Sequence, residues 1–406
     1  MRGLYLYSSF PVESIGGMER KMKILITSDW NVNAVNGVVT SMVNLKEELE
    51  KRGHEVKFLT LSSSFRNEHH GDTYAVGSIS VEWIYHMARI RFRRGQKILR
   101  ELIEWKPDVI HSQCEFSSFF LARHIAAKCR VPLVHTCHTV YEDYVGYVFP
   151  FFKSFGIHTV RQIFQYCSRR SDRFIAPTEK VRTLLESYPV YCPVSVIPTG
   201  IKMKSFDKTV TDEEKTAIRV KTGIGERRML LFLGRLGKEK NISELLGYMS
   251  HMDRDDVSFV LVGDGPYRAE LEKEAAELGL KAPKVVFAGM VSPEDVHLWY
   301  GSADLFINAS LSETQGLTYI EALASSLPLL VRKDPCLDGV VENGSDGWEY
   351  ETEEEFRTYL EKYLTMEDNT RMRERAKAKA YSYSSTVFAD RIEKLYLEEI
   401  ERKKRE

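Results

Sequence analysis

Residues 303–325 read ADLFINASLSETQGLTYIEALAS, and this stretch decides the fold. The run DLFINA is apolar and has a strand's length, while TYIEALAS holds mostly helix formers, so the pattern predicts a strand, a loop and a helix. Glu313 lies in the loop, and Glu321 lies one turn inside the helix. A helix that starts after a glycine-containing loop attracts phosphate or sugar oxygens through its unpaired N–H groups and its dipole. A carboxylate placed just before it would repel phosphate, so Glu313 is predicted to bind sugar hydroxyls.

Length and charge limit the number of domains and the kinds of partner that the chain can have. Its 406 residues suit two domains of about 200 residues each, and 43% hydrophobic content indicates globular domains. Residues 1–200 carry 26 basic against 19 acidic side chains, which leaves 31 against 39 for residues 201–406. A basic first half favours an anionic partner met by that half. Nucleic acid is disfavoured because the chain as a whole has a formal net charge of −1.

Metal binding and membrane spanning find no support in the sequence. Six cysteines are scattered without a CxxC pair, which is typical of a reduced cytoplasmic enzyme and argues against a zinc site. Residues 253–255 read DRD, but they fall between a predicted helix and the start of a strand, so we interpret them as a surface turn. No run approaches the ~18 apolar residues of a spanning helix. We therefore expect no metal and at most a peripheral membrane protein.

Strand-like and helix-like segments alternate along the whole chain. The predicted strands of the first half cover residues 24–28, 55–61, 109–111, 133–135, 174–176 and 194–197. This alternation predicts an α/β fold with parallel sheets covered by helices on both faces. In such sheets ligands bind beyond the carboxyl ends of the strands. That rule selects Trp30 and Gly37 after the first strand and His138 after the strand at residue 133.

The two glutamates identify a resemblance. Glu313 and Glu321, with seven residues between them, resemble the paired glutamates of the retaining glycosyltransferases of family 4, which have the GT-B fold. The intervening TQGLT resembles the form found in bacterial diacylglycerol glucosyl- and galactosyltransferases. The resemblance covers nearly the whole chain from Met22 and implies two Rossmann-like domains that face each other across a cleft. The alternative is an ordinary strand–loop–helix connection with Glu321 on a solvated helix face.

The resemblance implies a nucleotide-sugar donor, with UDP-glucose favoured, and no further cofactor. The implied donor-binding residues are Gly37, Arg235, Lys240, Gly263, Val291, Thr314, Gln315, Gly316, Leu317 and Glu321. Two cations at a strand-to-helix turn can clamp a diphosphate and neutralise the charge that grows on the leaving group. The chain lacks the proline usual shortly before the glycine at position 37. The GDG at residues 263–265 is not the GxGxxG fingerprint, so a nicotinamide cofactor is not supported.

A second string supports the lipid-acting branch of this family. Residues 135–144 read HTCHTVYEDY and closely resemble the corresponding segment of the lipid glycosyltransferases. The resemblance makes His138 and Glu313 the catalytic residues, and it puts Trp30, Tyr141 and Asp143 on the acceptor side. His111 and His135 are interpreted as structural histidines of the core.

Two stretches of the first half predict contact with a membrane. Residues 85–100 and 148–170 mix arginines and lysines with aromatic and aliphatic side chains, which suits an anionic lipid surface. The predicted contacts are Arg89, Arg91, Phe92, Arg93, Arg94, Phe151 and Phe152. A solvated basic helix packed by its apolar side is the competing interpretation.

The chain divides into four predicted parts. Residues 1–21 are expected to be a disordered or mis-started extension, and residues 22–200 form the acceptor and membrane-facing domain. Residues 201–386 form the nucleotide-sugar-binding domain, beginning with a linker and one short helix at residues 202–226. Residues 387–406 form a helix that packs back on the first domain, as GT-B C-terminal helices do.

The resulting hypothesis is a retaining hexosyltransferase at the inner face of the cell membrane. It moves a hexose, glucose being favoured over galactose, from a UDP-sugar to diacylglycerol or a glycosyl-diacylglycerol. Retention in this family is usually explained by front-face attack, and the sequence offers no obvious protein nucleophile. The alternatives are a family 4 enzyme that uses a soluble or polyprenol-linked acceptor, a nucleotide-sugar epimerase and a non-catalytic membrane-binding homologue.

Overall fold

Two largely parallel sheets organise the chain. The computed structural model describes residues 20–34, 36–81, 89–91, 95–139 and 153–406. Almost all of the extension predicted to be disordered, residues 1–19, lies outside that range. Hydrophobic side chains pack on both faces of each sheet, as the near-continuous apolar strands require.

The first sheet has eight strands in the order β10-β9-β8-β7-β1-β2-β4-β3. All its neighbours are parallel except β3 and β4, and β5 pairs with β6 in a separate antiparallel ribbon. In the described part of this half the strands are β1 (Lys23–Thr27), β2 (Glu55–Leu61), β3 (Glu68–His70), β4 (Thr73–Val76), β5 (Ser78–Ser80), β6 (Arg89–Arg91), β7 (Val109–Ser112), β8 (Leu133–Thr136), β9 (Arg173–Ala176) and β10 (Val194–Val196).

Helices connect these strands and cover the sheet. They are α1 (Gly37–Lys51), α2 (Gln96–Trp105), α3 (Ser117–Cys129), α4 (Lys153–Ser168) and α5 (Glu179–Ser187). The first of them starts at Gly37, and the Asn36 side chain caps it by accepting a hydrogen bond from the Val39 amide at 3.0 Å.

The second sheet has six parallel strands in the order β13-β12-β11-β14-β15-β16. Its strands are β11 (Arg228–Leu233), β12 (Val257–Val262), β13 (Val285–Gly289), β14 (Leu305–Asn308), β15 (Leu329–Arg332) and β16 (Gly347–Tyr350). The order reverses at β11 and β14, and the loop that carries Glu313 follows β14. Ligands in open α/β sheets bind at such a reversal.

Eight α-helices of the second half precede the last one. They are α6 (Met203–Phe206), α7 (Asp212–Thr222), α8 (Ile242–Ser250), α9 (Arg268–Glu277), α10 (Val296–Ser302), α11 (Leu317–Ala324), α12 (Glu353–Leu364) and α13 (Thr370–Ala380). The predicted linker at residues 202–226 thus contains two helices rather than one. A capping box of Thr211 and Glu214 starts the second of these two helices, a local signal that the prediction did not use.

The last helix, α14 (Ser385–Arg405), returns to the first sheet. Phe388, Ile392 and Tyr396 are buried among core residues of β1 and β7. The Tyr396 hydroxyl lies 2.6 Å from Nδ1 of the buried His111, whose Nε2 lies 2.6 Å from the Thr136 hydroxyl. The interpretation of His111 as a structural histidine is confirmed, because both its ring nitrogens are used inside the core.

The alternation of strands and helices confirms the predicted α/β fold of two Rossmann-like domains. Asp255 and its neighbours precede β12, and Arg254 pairs there with Asp256 and Glu361, away from the carboxyl ends of the strands. Within the described ranges, no helix has both the length and the apolar character that crossing a bilayer requires.

Gly263, one of the predicted donor residues, allows two turns of the second domain to pack closely. A Cβ at this position would lie 1.9 Å from the carbonyl oxygen of Gly234, and φ is +137°. Both observations require glycine, because an L side chain is strained at this φ and has no space. Gly247 in α8 is the opposite case, since a Cβ there would meet nothing within 4 Å.

These two glycines give a matched stability test. We expect Gly263→Ala to lower the free energy of unfolding by about 2 kcal/mol or more, through backbone strain and overpacking. Gly247→Ala should raise it by about 0.5–1 kcal/mol, because alanine is the better helix former. Urea titrations followed by circular dichroism measure both changes. Equal midpoints for the two variants would contradict the assigned packing at Gly263.

Candidate active site

The carboxyl ends of the two sheets meet across a cleft. A Cβ built on Gly37, the first residue of α1, would lie 3.6 Å from Cδ1 of Leu317, the first residue of α11. The N-terminal turns of one helix from each domain therefore approach each other. Two predicted donor residues that are 280 positions apart in sequence are neighbours here.

The loop between β14 and α11 has the predicted form, and its glycine is obligatory. Gly316 has φ of +70° and immediately precedes the helix. A Cβ there would lie 2.3 Å from the ring of Tyr319 and 3.4 Å from Cγ of Glu313. Only glycine combines this backbone conformation with such close neighbours. The turn brings Glu313 back towards the start of the helix.

Glu313 forms an ion pair with Lys240. Nζ of Lys240 lies 2.5 Å from Oε1 of Glu313, and the two side chains are only 18% and 14% exposed. Burial alone would raise the pKa of the Glu313 carboxyl, but the ammonium of Lys240 holds that pKa below its usual range. The two residues come from loops after β11 and β14, which are adjacent strands. The predicted catalytic carboxylate and a predicted phosphate ligand therefore share one site.

Arg235, the other predicted clamp residue, also has a carboxylate partner. Its guanidinium donates to Oε1 of Glu239 at 2.5 Å, and the Glu239 side chain is 7% exposed. Both predicted clamp cations thus lie at the carboxyl end of β11 with their charge compensated. A diphosphate entering this site would compete with two carboxylates for these cations.

The side chain of Gln315 bonds to the first domain and is not available for the predicted donor contact. Its Oε1 accepts from the Thr199 amide at 2.8 Å, and its Nε2 donates to the Thr199 carbonyl at 2.9 Å. The residue is 3% exposed. The carbonyl of Thr314 accepts from the Thr178 hydroxyl at 2.7 Å. These side-chain bonds connect the donor loop to the first domain, so only backbone groups of Gln315 suit the predicted role.

A buried ion pair adds to this connection. Lys180 of α5 donates to both carboxylate oxygens of Asp334 at 2.8 and 2.9 Å, and to the Leu311 carbonyl at 2.9 Å. Asp334 is 3% exposed. One lysine of the first domain thus contacts the loops that follow both β14 and β15.

Glu321 is partly buried inside α11 and accepts from the Tyr300 hydroxyl at 2.9 Å. Burial raises the pKa of the Glu321 carboxyl to about 7, although the hydrogen bond from Tyr300 opposes that rise. The alternative of a solvated helix face is therefore wrong for this residue.

His138 follows β8 and lies next to a glutamine from the neighbouring strand. Its Nε2 is 2.6 Å from Oε1 of Gln113, which follows β7. Burial lowers the pKa of the His138 imidazole to about 4, so the ring is neutral at pH 7. With the Gln113 carbonyl as acceptor, Nε2 carries the proton and Nδ1 has a free lone pair to offer. The ring can therefore accept a hydrogen bond from a hydroxyl group.

A group of buried polar side chains lies close to His138. Nε2 of His135 lies 3.4 Å from Oε1 of Glu115, and the Cys137 thiol is near both, with all three ligand atoms within 4.8 Å. His135 is fully buried, as interpreted for a core histidine. Such a grouping of Cys, His and Glu cannot be found from CxxC spacing, on which the argument against a zinc site depended. Asp29 at the end of β1 completes this polar region, and burial raises its pKa to about 7.

The acceptor side and the predicted membrane contacts are only partly described. Trp30 is partly buried just after β1, and Val291 follows β13. The remaining predicted residues of these two sets lie outside the described ranges: Tyr141, Asp143, Phe92, Arg93, Arg94, Phe151 and Phe152.

Arg89 serves the fold rather than a membrane surface. Its guanidinium donates to the Ser62 and Ser63 carbonyls at 3.0 and 2.9 Å and to the Ser78 hydroxyl at 2.7 Å. These bonds hold β6 beside the loop after β2. Arg91 is partly buried, and its amide donates to the Ser117 hydroxyl at 3.1 Å. Of these two arginines, Arg91 alone remains a candidate for lipid contact.

Sequence reasoning missed several residues that contact predicted site residues, among them Gln113, Glu239 and Tyr300. Gln113 carried a usable signal, because it directly follows a predicted strand at the ligand-binding edge. Glu239 is adjacent to Lys240 in sequence and therefore lies at the same strand-to-helix turn as the two predicted clamp cations. Tyr300 carried no local signal.

Comparison with known families follows the two-domain division. Residues 35–204 match the description Glycosyltransferase Family 4, and residues 214–383 match Glycosyl transferases group 1. The alpha-monoglucosyldiacylglycerol synthase of Streptococcus pneumoniae is 35% identical over 390 residues, which cover 93% of this chain and 86% of that protein. The protein of the same name from Acholeplasma laidlawii is 32% identical, with coverage of 94% and 98%.

Solved structures with the same architecture are more distant in sequence. HepE from Anabaena in complex with UDP-glucose superimposes with a TM-score of 0.71 at 16% identity, covering 92% of this chain and 99% of that one. Sucrose-phosphate synthase from Thermosynechococcus elongatus gives 0.71 at 17% identity, with coverage of 93% and 99%. At such identities the likeness establishes the fold alone. Together with the nearly full-length relatives, it shows that the chain belongs to the family 4 glycosyltransferases and has their GT-B fold.

Proposed function

We propose that this glycosyltransferase transfers glucose from UDP-glucose to diacylglycerol, or to a glycosyl-diacylglycerol, with retention of the anomeric configuration. The observation that carries the proposal is the sequence identity of more than 30% to two alpha-monoglucosyldiacylglycerol synthases over nearly the whole chain. Their names specify an alpha-linked glucose. Because the sugar of UDP-glucose is also alpha-linked, an alpha product means retention.

The donor site of the proposal consists of second-domain groups. The diphosphate binds between Arg235, Lys240 and the N-terminal turn of α11, where positive charge and amide donors face the same space. Lys240 would then share its charge between the phosphates and Glu313, whose carboxylate is free to accept sugar hydroxyls on its other oxygen. Charge growing on the leaving diphosphate is stabilised by the same cations. Glu321 accepts hydrogen bonds from the ribose.

The acceptor side of the proposal belongs to the first domain. Neutral His138 accepts a hydrogen bond from a sugar hydroxyl, and a donor phosphate oxygen takes the proton of the attacking acceptor hydroxyl. No protein nucleophile is required for this front-face route. Because donor and acceptor groups come from opposite domains, the reaction needs the cleft to be closed. No metal or cofactor takes part in the proposed steps.

We further propose that the enzyme works on the cytoplasmic face of the cell membrane as a peripheral protein. Diacylglycerol is buried in a bilayer, so the enzyme must dock before this acceptor can reach the cleft. The excess of basic residues in the first half favours docking on anionic lipid.

The assay that tests the proposal uses purified enzyme, labelled UDP-glucose and vesicles that contain diacylglycerol. We expect transfer to diacylglycerol with an alpha linkage, identified by NMR of the product. UDP-galactose should be the poorer donor. Lys240→Ala should lose at least about tenfold in kcat/KM, since one charge-assisted hydrogen bond contributes about 1.5–3 kcal/mol. Faster transfer to a soluble saccharide than to diacylglycerol would reject the lipid assignment, and a beta product would reject retention.

The two glutamates should differ in what they bind. Glu321→Gln should weaken binding of free UDP about tenfold by loss of a charged acceptor for the ribose. Glu313→Gln should leave UDP affinity within about twofold and instead lower kcat, because Glu313 is proposed to contact the sugar. Isothermal titration calorimetry and initial rates measure the two effects. An equal fall of UDP affinity in both variants would refute the division of roles.

Membrane docking should depend on cations of the first domain. A variant with Arg91, Arg93 and Arg94 changed to Ser should bind vesicles containing anionic lipid severalfold more weakly, at about 1 kcal/mol per lost cation near the surface. Arg89 is left intact because it supports the fold. Three exposed second-domain arginines, Arg357, Arg371 and Arg375, serve as the control when changed to Ser. Co-sedimentation decides the matter: the prediction is wrong if both variants bind alike, or if added salt leaves wild-type binding unchanged.

A further inference from the structure

The carboxylate of Glu321 has a dedicated partner inside the protein. The Tyr300 hydroxyl donates to Oε2 of Glu321 at 2.9 Å and lies 3.4 Å from the Thr318 carbonyl. Among the described residues, Tyr300 is the one side chain with a hydrogen bond to this carboxylate. The two residues come from α10 and α11, which flank β14. One carboxylate oxygen is thus occupied, and Oε1 can accept from a ligand.

Tyr300 is held rigidly. The side chain is fully buried, and its ring packs against Phe206 at 6.1 Å and Phe306 at 6.0 Å between centroids. A tyrosine ring packed in this way has one available position for its hydroxyl, because only two side-chain torsions set it. Glutamate has three torsions and would otherwise sample several orientations. The hydrogen bond from this fixed hydroxyl therefore restricts the orientation of the Glu321 carboxylate.

No cation shares this task among the described residues. Helix α13 packs against α11, but four of its five basic side chains bond elsewhere and Arg371 is exposed. Arg373 bonds the carbonyls of Ala303, Asp304 and Ser326, Arg375 the Ser345 hydroxyl, Lys377 Asp207 and Lys379 Asp346. Lys204 of α6 is exposed, and His297 of α10 bonds the Glu294 carbonyl. The orientation of the carboxylate depends on a neutral donor alone.

We propose that Tyr300 is a positioning residue that directs the Glu321 carboxylate at the vicinal hydroxyls of the donor's ribose, so that the enzyme discriminates ribonucleotides from 2′-deoxyribonucleotides. The inference rests on the proposed function, in which Glu321 accepts from the ribose. A carboxylate held with one oxygen outward accepts from both hydroxyls only if its angle is fixed. A nucleotide without the 2′-hydroxyl leaves part of this acceptor capacity unused, which a partly buried carboxylate tolerates poorly.

Burial also makes this site sensitive to pH. The pKa of the Glu321 carboxyl is raised to about 7, and the Tyr300 hydrogen bond counteracts the rise. The ionised form accepts two hydroxyl protons, so it is the form that binds ribose, and affinity should fall as pH drops below 7. Loss of the tyrosine hydroxyl removes a donor to the ionised form and moves this fall to higher pH.

The experiment measures UDP and 2′-deoxy-UDP binding by calorimetry for wild type, Tyr300→Phe and Glu321→Gln. Tyr350→Phe is the matched control, because the fully buried Tyr350 donates to Glu244 at 3.2 Å in the same domain and belongs to no proposed site. We expect Tyr300→Phe to weaken UDP binding about tenfold at pH 7, to change 2′-deoxy-UDP binding much less, and to recover towards wild type at pH 9. Tyr350→Phe should leave the ratio of the two affinities unchanged.

The outcomes distinguish a failure of the positioning role of Tyr300 from a failure of the proposed donor site. Suppose that Tyr300→Phe weakens the binding of both nucleotides equally, or of neither, while Glu321→Gln reduces the preference for UDP. The positioning role of Tyr300 is then overturned, and the proposed donor site stands. If wild type does not bind UDP, or if Glu321→Gln keeps the full preference for UDP, the donor site itself is wrong and the inference falls with it. A midpoint of the pH dependence that is identical in wild type and Tyr300→Phe also counts against the positioning role.

Discussion

A buried primary amide fixes the donor loop against the first domain. Both polar atoms of the Gln315 side chain are paired with the backbone of Thr199, at 2.8 and 2.9 Å. A buried amide that loses even one partner is costly, so the loop has one favourable position relative to the exit from the first domain. Glu313 lies two residues before this contact, and α11 starts two residues after it. The geometry of the cleft therefore depends on a contact that touches no substrate.

The cations of the cleft are also paired within the protein. Lys240 and Arg235 each have a carboxylate partner, from Glu313 and Glu239 respectively, so the protein alone carries little uncompensated charge there. Partly buried cations without partners would be expensive to keep. A diphosphate must therefore compete with carboxylates that are already in place, and its two or more charges allow it to do so. The free energy of diphosphate binding is therefore the difference between cations paired with the phosphates and cations paired with the carboxylates. It is smaller than the full strength of the new ion pairs.

Sequence reasoning predicted the local pattern of strands, loops and helices and missed most of the side-chain contacts, both between distant residues and at the nearby Glu239. The strand, loop and helix around Glu313 follow from adjacent residues, and Gly316 is required by its own backbone conformation. The alternation that gives the α/β fold is likewise a pattern of short segments. Tyr300 and Glu321 are 21 residues apart, and Gln113 and His138 are 25 apart, so their contacts exist only once the order of the strands is known. Arg89 was misassigned because a basic residue beside apolar ones fits a membrane surface and an internal hydrogen-bond site equally well.

The return of α14 to the first sheet has a consequence for biosynthesis. Phe388, Ile392 and Tyr396 complete a core whose other residues belong to the first domain, from Met22 to Ile197. A ribosome delivers these strands long before this helix, so the part of the first sheet that α14 covers stays exposed until the helix has emerged. The second domain can meanwhile fold on its own strands. A product that lacks α14 would thus expose a hydrophobic surface that quality control in the cell recognises.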